Sequence, residues 1–354
     1  MKMLIAPSML LAVSTLALPA MAQTPTAVQG YSVSVFAKGV TGSYTAPDSL
    51  AVLGNHVFIG YGDGNDPGGL DGKSNQIVQY SLEGKVEYVY VVKGHNDGLK
   101  ANPYTHLLWA MQNEDTNPNL VIIDPETHQQ TLYTFAAAPA AGGGYDDITF
   151  RNGKAYFSAS NPAMNPNDEP AIVEATISGT TISVMPTLMG NATATDVVTG
   201  STVTLNLLDP DSMTLTPSND ILLDSQGDSE LILVHNPGAS QTVTQIPLSS
   251  PFGTPQADDT LFIPASEGFI LVSDTPANTI YRISRKRFVP GTAFTAADGA
   301  PDANGNSVGF VGALDLNFGD LRPVVTGLVD PHGLAFVPAH PGEGEGNGGN
   351  CSVN

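Results

Sequence analysis

Six segments of this chain overlay without a gap, each a carboxylate or His, a small or acidic residue and then a mainly apolar run. They begin at Asp48 (DSLAVLG), Asp97 (DGLKANP), Asp146 (DDITFRN), Asp211 (DSMTLTP), Asp258 (DDTLFIP) and His332 (HGLAFVP). Successive spacings are 49, 49, 65, 47 and 74 residues, so three intervals keep a period near fifty and two carry insertions. A unit of that length holds four short strands and cannot bury its apolar surface alone. Repeated around an axis it builds a β-propeller, one four-stranded blade per period. Any place in the repeat then recurs around the axis, and the six aligned positions predict five Asp and one His converging on one central channel.

Between these positions, runs rich in β-branched and aromatic residues alternate with Gly, Asn, Asp and Pro. The first interval shows His56 to Gly60, Gln76 to Leu82 and Val86 to Val92. The third shows Lys154 to Ser158, Ala171 to Ile177 and Thr181 to Met185. No window has a sustained helical period, so the expected fold is all-β: a single propeller of six blades of four antiparallel strands, with five blades as the alternative count. The segment Tyr31 to Lys38 has the strand pattern and is expected to close the ring as the outer strand of the last blade. The count has one awkward place. Nothing after Gly333 to Val337 supplies a second and third strand, so one blade is expected either to be incomplete or to borrow strands from the insertion between Arg287 and Phe310. A second insertion, between Leu188 and Leu208, reads as a hairpin turning at Thr199 and Gly200. Such a hairpin either packs or shapes the channel mouth.

The first 22 residues combine Lys2, an apolar stretch from about Met9 to Leu18 and small residues at Ala20 and Ala22. That pattern predicts a secretory signal cleaved near Ala22, too short to span a bilayer. The expected mature protein is periplasmic or secreted, with no membrane span, and monomeric, its propeller covering 23–340 and a disordered Gly-rich tail covering 341–354. Thirty-four Asp and Glu against thirteen Lys and Arg give a net charge of −21, which repels phosphate backbones and excludes nucleic acid as a partner. Small neutral or cationic ligands, proteins and metal ions are compatible with it. The basic stretch Arg282, Arg285, Lys286 and Arg287 reads as a solvated strand edge. The one cysteine, Cys351, lies in the tail, so no disulfide supports the fold.

Five carboxylates crowding one opening cannot all stay ionised without a counter-ion; a cation binds them or some hold protons. Asp48, Asp97, Asp146, Asp211 and Asp258 are therefore the candidate ligands of a divalent cation, with calcium, which takes oxygen donors, the expected ion. Each Asp can equally cap its own strand through an Asx turn. His332 breaks the series and is the candidate catalytic residue, a base or a ligand whose pKa neighbouring carboxylates would raise; a His bonded to a backbone carbonyl is the plain alternative. His95 is a second candidate. Two acidic loops, one with Asp63, Asn65, Asp66 and Asp71 and the other with Asp298, Asp302, Asn304 and Asn306, offer oxygen donors at calcium-like spacing or are ordinary polar loops. No nucleophile elbow, phosphate loop, dinucleotide fingerprint or zincin motif occurs.

The stretches PHGLAFVP around His332 and SDTPANTIYRIS around Asp274 and Tyr281 resemble the NHL-repeat and gluconolactonase-like propellers. That resemblance implies a channel ion held at the position before the small residue of the inner strand, which falls on Asp48, Asp97, Asp146, Asp211 and Asp258. The gluconolactonase-like group offers Glu and Asn at such places, whereas this chain offers Asp or His. Two functions follow as expectations: an exported propeller with an acidic, calcium-binding channel serving as a ligand- or protein-binding module, or a metal-dependent lactone or ester hydrolase with His332 or an Asp as base.

Overall fold

The computed structural model describes residues 24–339 apart from 239, 302, 304, 306 and 307. The expected signal segment and Gly-rich tail with Cys351 lie outside them. Among the described residues every regular element is a β-strand, gathered into five sheets.

Those sheets resolve into six antiparallel four-stranded units, each running from an innermost strand outward. The first is Pro47–Leu53, His56–Tyr61, Ser74–Ser81 and Val86–Lys93; the second is Asn96–Ala101, Leu108–Gln112, Asn119–Ile123 and Gln130–Phe135. The third is Ile148–Arg151, Lys154–Ser158, Pro170–Ser178 and Thr181–Met189, joined to the second by parallel pairing of their outermost strands. The fourth is Pro210–Leu215, Ile221–Ser225, Glu230–His235 and Thr242–Pro247. The fifth is Gln256–Phe262, Ala293–Gly299, Val308–Asp315 and Asp320–Leu328, with Thr26–Ala27 added on its outer edge. The sixth is Pro331–Pro338, Gly268–Asp274, Thr279–Arg285 and Tyr31–Lys38.

The sixth unit finds its missing strands elsewhere than the sequence predicts. The borrowed pair is Gly268–Asp274 and Thr279–Arg285, not the segment after Arg287, whose strand Ala293–Gly299 returns to the fifth unit. The hairpin of the other insertion, Thr193–Asp196 and Thr202–Thr204, pairs with the outermost strand of the fourth unit. It therefore packs three strands away from Pro210–Leu215 and does not reach the channel mouth.

Burial explains why the strands read as continuous apolar runs rather than alternating ones. Each unit packs face to face against a neighbour on either side. Val57 and Ile59 belong to a core shared with Leu271 and Val337 of the sixth unit, while Phe58 between them belongs to a core shared with Leu99 and Ala110 of the second. Ile221 and Leu223 likewise face the third unit, and Leu222 faces the fifth. Six such cores fill the spaces between successive units, the one between sixth and first included. The architecture is that of a β-propeller. The basic stretch is spent on the outside of the sixth unit, with Arg282 over the Phe269 ring at 3.8 Å and Arg285 over Tyr31 at 4.7 Å.

The aligned positions coincide with one recurrent irregularity. In the first unit Pro47 pairs with Tyr61 and Leu50 with Ile59, so Asp48 and Ser49 together oppose Gly60. The same two-against-one bulge holds Asp97 and Gly98, Asp211 and Ser212, Asp258 and Asp259, and His332 and Gly333. In the third unit Asp146 and Asp147 both bond Ser158 just before the regular ladder begins. A bulge re-aims side chains, and here it turns both residues of each pair toward the axis. Inner strands meet closely at this level: a Cβ on Gly98 would lie 2.1 Å from the Asp146 carbonyl oxygen. Gly98→Ala is accordingly expected to lower the unfolding free energy by about 2–3 kcal/mol, and an unchanged denaturant midpoint would show that the strands have room to part.

Candidate functional site

All twelve residues of these six pairs line one cavity of about 230 Å3 on the axis. Asp48, Asp97, Asp146, Asp211, Asp258 and His332 thus come together as the repeat pattern requires. Nine carboxylates face this space: those five plus Glu114, Asp147, Asp209 and Asp259. Against them stand Lys100, His95 and His332.

The charges divide into three groups with different partners. On one side His332 neutralises its neighbours. Its Nδ1 lies 3.1 Å from Asp258 Oδ2 and 3.5 Å from Asp48 Oδ1, and its Nε2 lies 3.4 Å from Asp330 Oδ2. Both ring nitrogens facing carboxylates is the geometry of an imidazolium. Burial alone would lower its pKa, but Asp258 and Asp48 outweigh burial and hold it well above the ordinary histidine value. Asp258 also accepts a hydrogen bond from Gln226 Nε2 at 2.9 Å.

Deeper in the channel, Lys100 fills the same office. Its Nζ is 3.0 Å from Asp147 Oδ2, and Asp147 and Asp259 raise its pKa against the lowering effect of burial. These carboxylates also anchor backbone: Asp147 accepts from the Met213 amide at 2.8 Å and Asp259 from the Leu334 amide at 2.7 Å. Burial pushes the Asp259 carboxyl up to about 7 although Lys100 opposes it. Asp224, opposite the Asp211 bulge and 1% exposed, is raised well above the carboxylate range by burial and then by Asp259, while accepting from Thr260 Oγ1 at 2.8 Å.

The third group, Asp97, Asp146 and Asp211, makes no ion pair among the described residues. Burial and then Asp48 push Asp97 up to about 8; burial and then Asp97 raise Asp146, and burial and then Asp258 raise Asp211. Beside Asp97 lie His95 and Glu114, whose carboxyl is pushed up to about 10 by burial and then by Asp97. Among the described residues no cation forms an ion pair with this arc; protons and, at longer range, His332 offset its charge.

Five charged residues of the cavity escaped the sequence reading: Lys100, Glu114, Asp147, Asp209 and Asp259. Lys100 had a signal, since the six aligned fourth positions are otherwise Ala, Thr or Leu. Asp147 and Asp259 leave no such mark, because regular strand alternation would point them away from the axis. The acidic loop of the first unit does not gather a cation site. Asp66 Oδ1 accepts from the Gly68 and Leu70 amides, Asp71 caps the Asp66 and Lys73 amides, and Asp63 accepts from Thr45. Of the other loop, Asp302, Asn304 and Asn306 lie outside the described residues. His56, His128 and His235 are partnered near the outside of the units, with Glu87, Tyr90 and Asp220.

No protein-family model matches the sequence, and no curated protein does. Among solved structures, the chain is similar to a Bacteroides caccae protein of unknown function at 7% identity and a TM-score of 0.50, covering 82% of this chain and 86% of that one. Others are a streptogramin B lyase, 12% identical, TM-score 0.43, 88% and 100% covered, and a gluconolactonase candidate, 12% identical, TM-score 0.46, 86% and 87% covered. The likeness is one of fold.

Proposed function

We propose that this protein is an exported six-bladed propeller, closed by Tyr31–Lys38 as the outer strand of the sixth blade, whose acidic channel binds a divalent cation and serves as a ligand- or protein-binding module. The core between the sixth and first units supports the closed ring. The observation that carries the binding reading is the arc of Asp97, Asp146 and Asp211, three carboxyls on one cavity with no ion-pair partner among the described residues, while Lys100 and His332 are already committed elsewhere. Three carboxylates supply up to six oxygen donors, the hard-ligand set calcium takes. The cation would neutralise the arc and leave oxygens and the open cavity to a small neutral or cationic ligand.

The alternative, a metal-dependent lactone or ester hydrolase, draws on the same cavity. There His332, its two ring nitrogens directed at carboxylates, would donate a proton rather than accept one.

Asp97→Asn combined with Asp211→Asn tests the binding reading. Relief of repulsion is expected to raise the melting temperature of the cation-free variant above the parent's, and removal of two charged ligands to abolish its response to calcium. Retention of the full calcium response would place the ion outside this channel.

A further inference from the structure

We propose that His95, Asp97 and Glu114 form a second cation site on one side of the channel, sharing Asp97 with the arc of Asp97, Asp146 and Asp211 and suited to a borderline metal such as Mn2+, Co2+ or Zn2+ rather than to calcium; this rests on reading the cavity as cation-binding. One donor atom from each of the three residues lies within 4.8 Å of the others. His95 Nε2 is 3.9 Å from Glu114 Oε1, too far for a hydrogen bond and close to the roughly 3.5 Å that separates two donors sharing one metal at about 2.1 Å.

The surroundings hold these donors apart from other uses. His95 Nδ1 and Glu114 Oε2, the second polar atom of each side chain rather than the pair 3.9 Å apart, are also buried without a hydrogen-bond partner, a costly arrangement for a plain ion pair. Their backbones are fastened together: the Asn113 amide donates to the His95 carbonyl at 2.8 Å, and the His95 amide donates to Asn113 Oδ1 at 3.0 Å. That reciprocal pair places Glu114, the next residue, across from His95. Gly62 leaves room for the imidazole, since a Cβ there would lie 2.8 Å from His95 Cε1. The site is thus assembled from the loop before the inner strand, the bulge itself and the turn after Leu108–Gln112.

The contrast with the arc of Asp97, Asp146 and Asp211 is chemical. An imidazole in the donor set favours borderline metals, whereas calcium takes oxygens. The other histidine on the cavity, His332, has its nitrogens occupied by Asp48, Asp258 and Asp330, so nitrogen ligation falls to His95.

The test uses the mature chain stripped of metal and titrated separately with Co2+, followed by its visible absorption, and with Ca2+, followed by melting temperature. Co2+ is expected to bind with a nitrogen-ligand visible spectrum, and His95→Gln and Glu114→Gln are each expected to weaken it tenfold or more. His95→Gln is expected to keep the parent's calcium response, which also shows that the variant is folded. Equal Co2+ affinity with and without His95 and Glu114, or no Co2+ uptake by a parent that responds to calcium, overturns this site and leaves the calcium reading standing. A parent that takes up neither ion overturns both.

Discussion

Lys100→Met is expected to lower the unfolding free energy by about 3–5 kcal/mol, the usual cost of leaving a buried charge without its partner. Lys100 is the cation of the deep layer, and its Nζ sits 3.0 Å from Asp147 Oδ2. Asp147, Asp224 and Asp259 are 3%, 1% and 5% exposed, so water cannot take over its role. Methionine preserves the stem and its packing and removes only the charge. The carboxyls left behind can respond by taking up protons, which makes the loss smaller at pH 5 than at pH 8. Adding Asp147→Asn, which removes the nearest unpaired charge, is expected to restore part of the stability. Denaturant unfolding at the two pH values checks this; a Lys100→Met protein as stable as the parent at pH 8 would mean that the deep carboxyls are already protonated and need no cation.

The propeller was legible because the repeat leaves a direct record in the sequence: five inner strands begin with the same bulge and the third with an equivalent pair, so the aligned positions recur at one level of the fold. Asp48, Asp97 and Asp211 could be placed on one opening from spacing alone. The route of the chain through the sixth unit was not legible. Gly268–Asp274 and Thr279–Arg285 follow the inner strand Gln256–Phe262 just as a second and third strand should, and only their pairing with Pro331–Pro338 shows that they belong to the neighbouring unit. Strand pairing over so long a separation leaves no local mark in composition.

The division of charge within the channel was equally hidden. Spacing shows that His332 stands in the ring, but not that Asp330, two residues earlier, folds back to claim its Nε2. Glu114 lies seventeen residues beyond Asp97 in a turn whose place is set by Asn113, and no periodicity points to it. In the first acidic loop spacing left two alternatives open, and the hydrogen bonds favour the ordinary polar loop. Asp66 and Asp71 have the spacing of calcium ligands, yet backbone amides from the same loop satisfy them, as short Asp-rich turns commonly do.

Without divalent cations, the protein is expected to lose stability as pH rises from about 4 to about 8, opposite to the behaviour of a protein held by paired carboxylates. Asp97, at about 8, and Asp259, at about 7, bind protons in the folded state to far higher pH than in the unfolded chain, where each has the ordinary value 3.8. A group raised in this way gives its full stabilisation below the unfolded pKa and loses it as pH climbs through the folded one. His332, also raised, acts with the same sign, its contribution present below 6.5 and lost at higher pH. At about 1.4 kcal/mol per unit, Asp259 alone corresponds to about 4 kcal/mol between pH 4 and 8. A few carboxylates run the other way: Asp330, held low by its hydrogen bond with His332, weakens the fold only below its ordinary range. On the proposed reading calcium would replace protons as the counter-ion of the arc, so its stabilisation should grow with pH and reach about 2.7 kcal/mol at a hundredfold excess over its dissociation constant. Melting temperatures from pH 4 to 9, with chelator and with calcium, separate the two curves. A chelated protein whose melting temperature rises across that range would show that the channel carboxyls are ionised and compensated in the resting fold, and that no cation is needed to complete it.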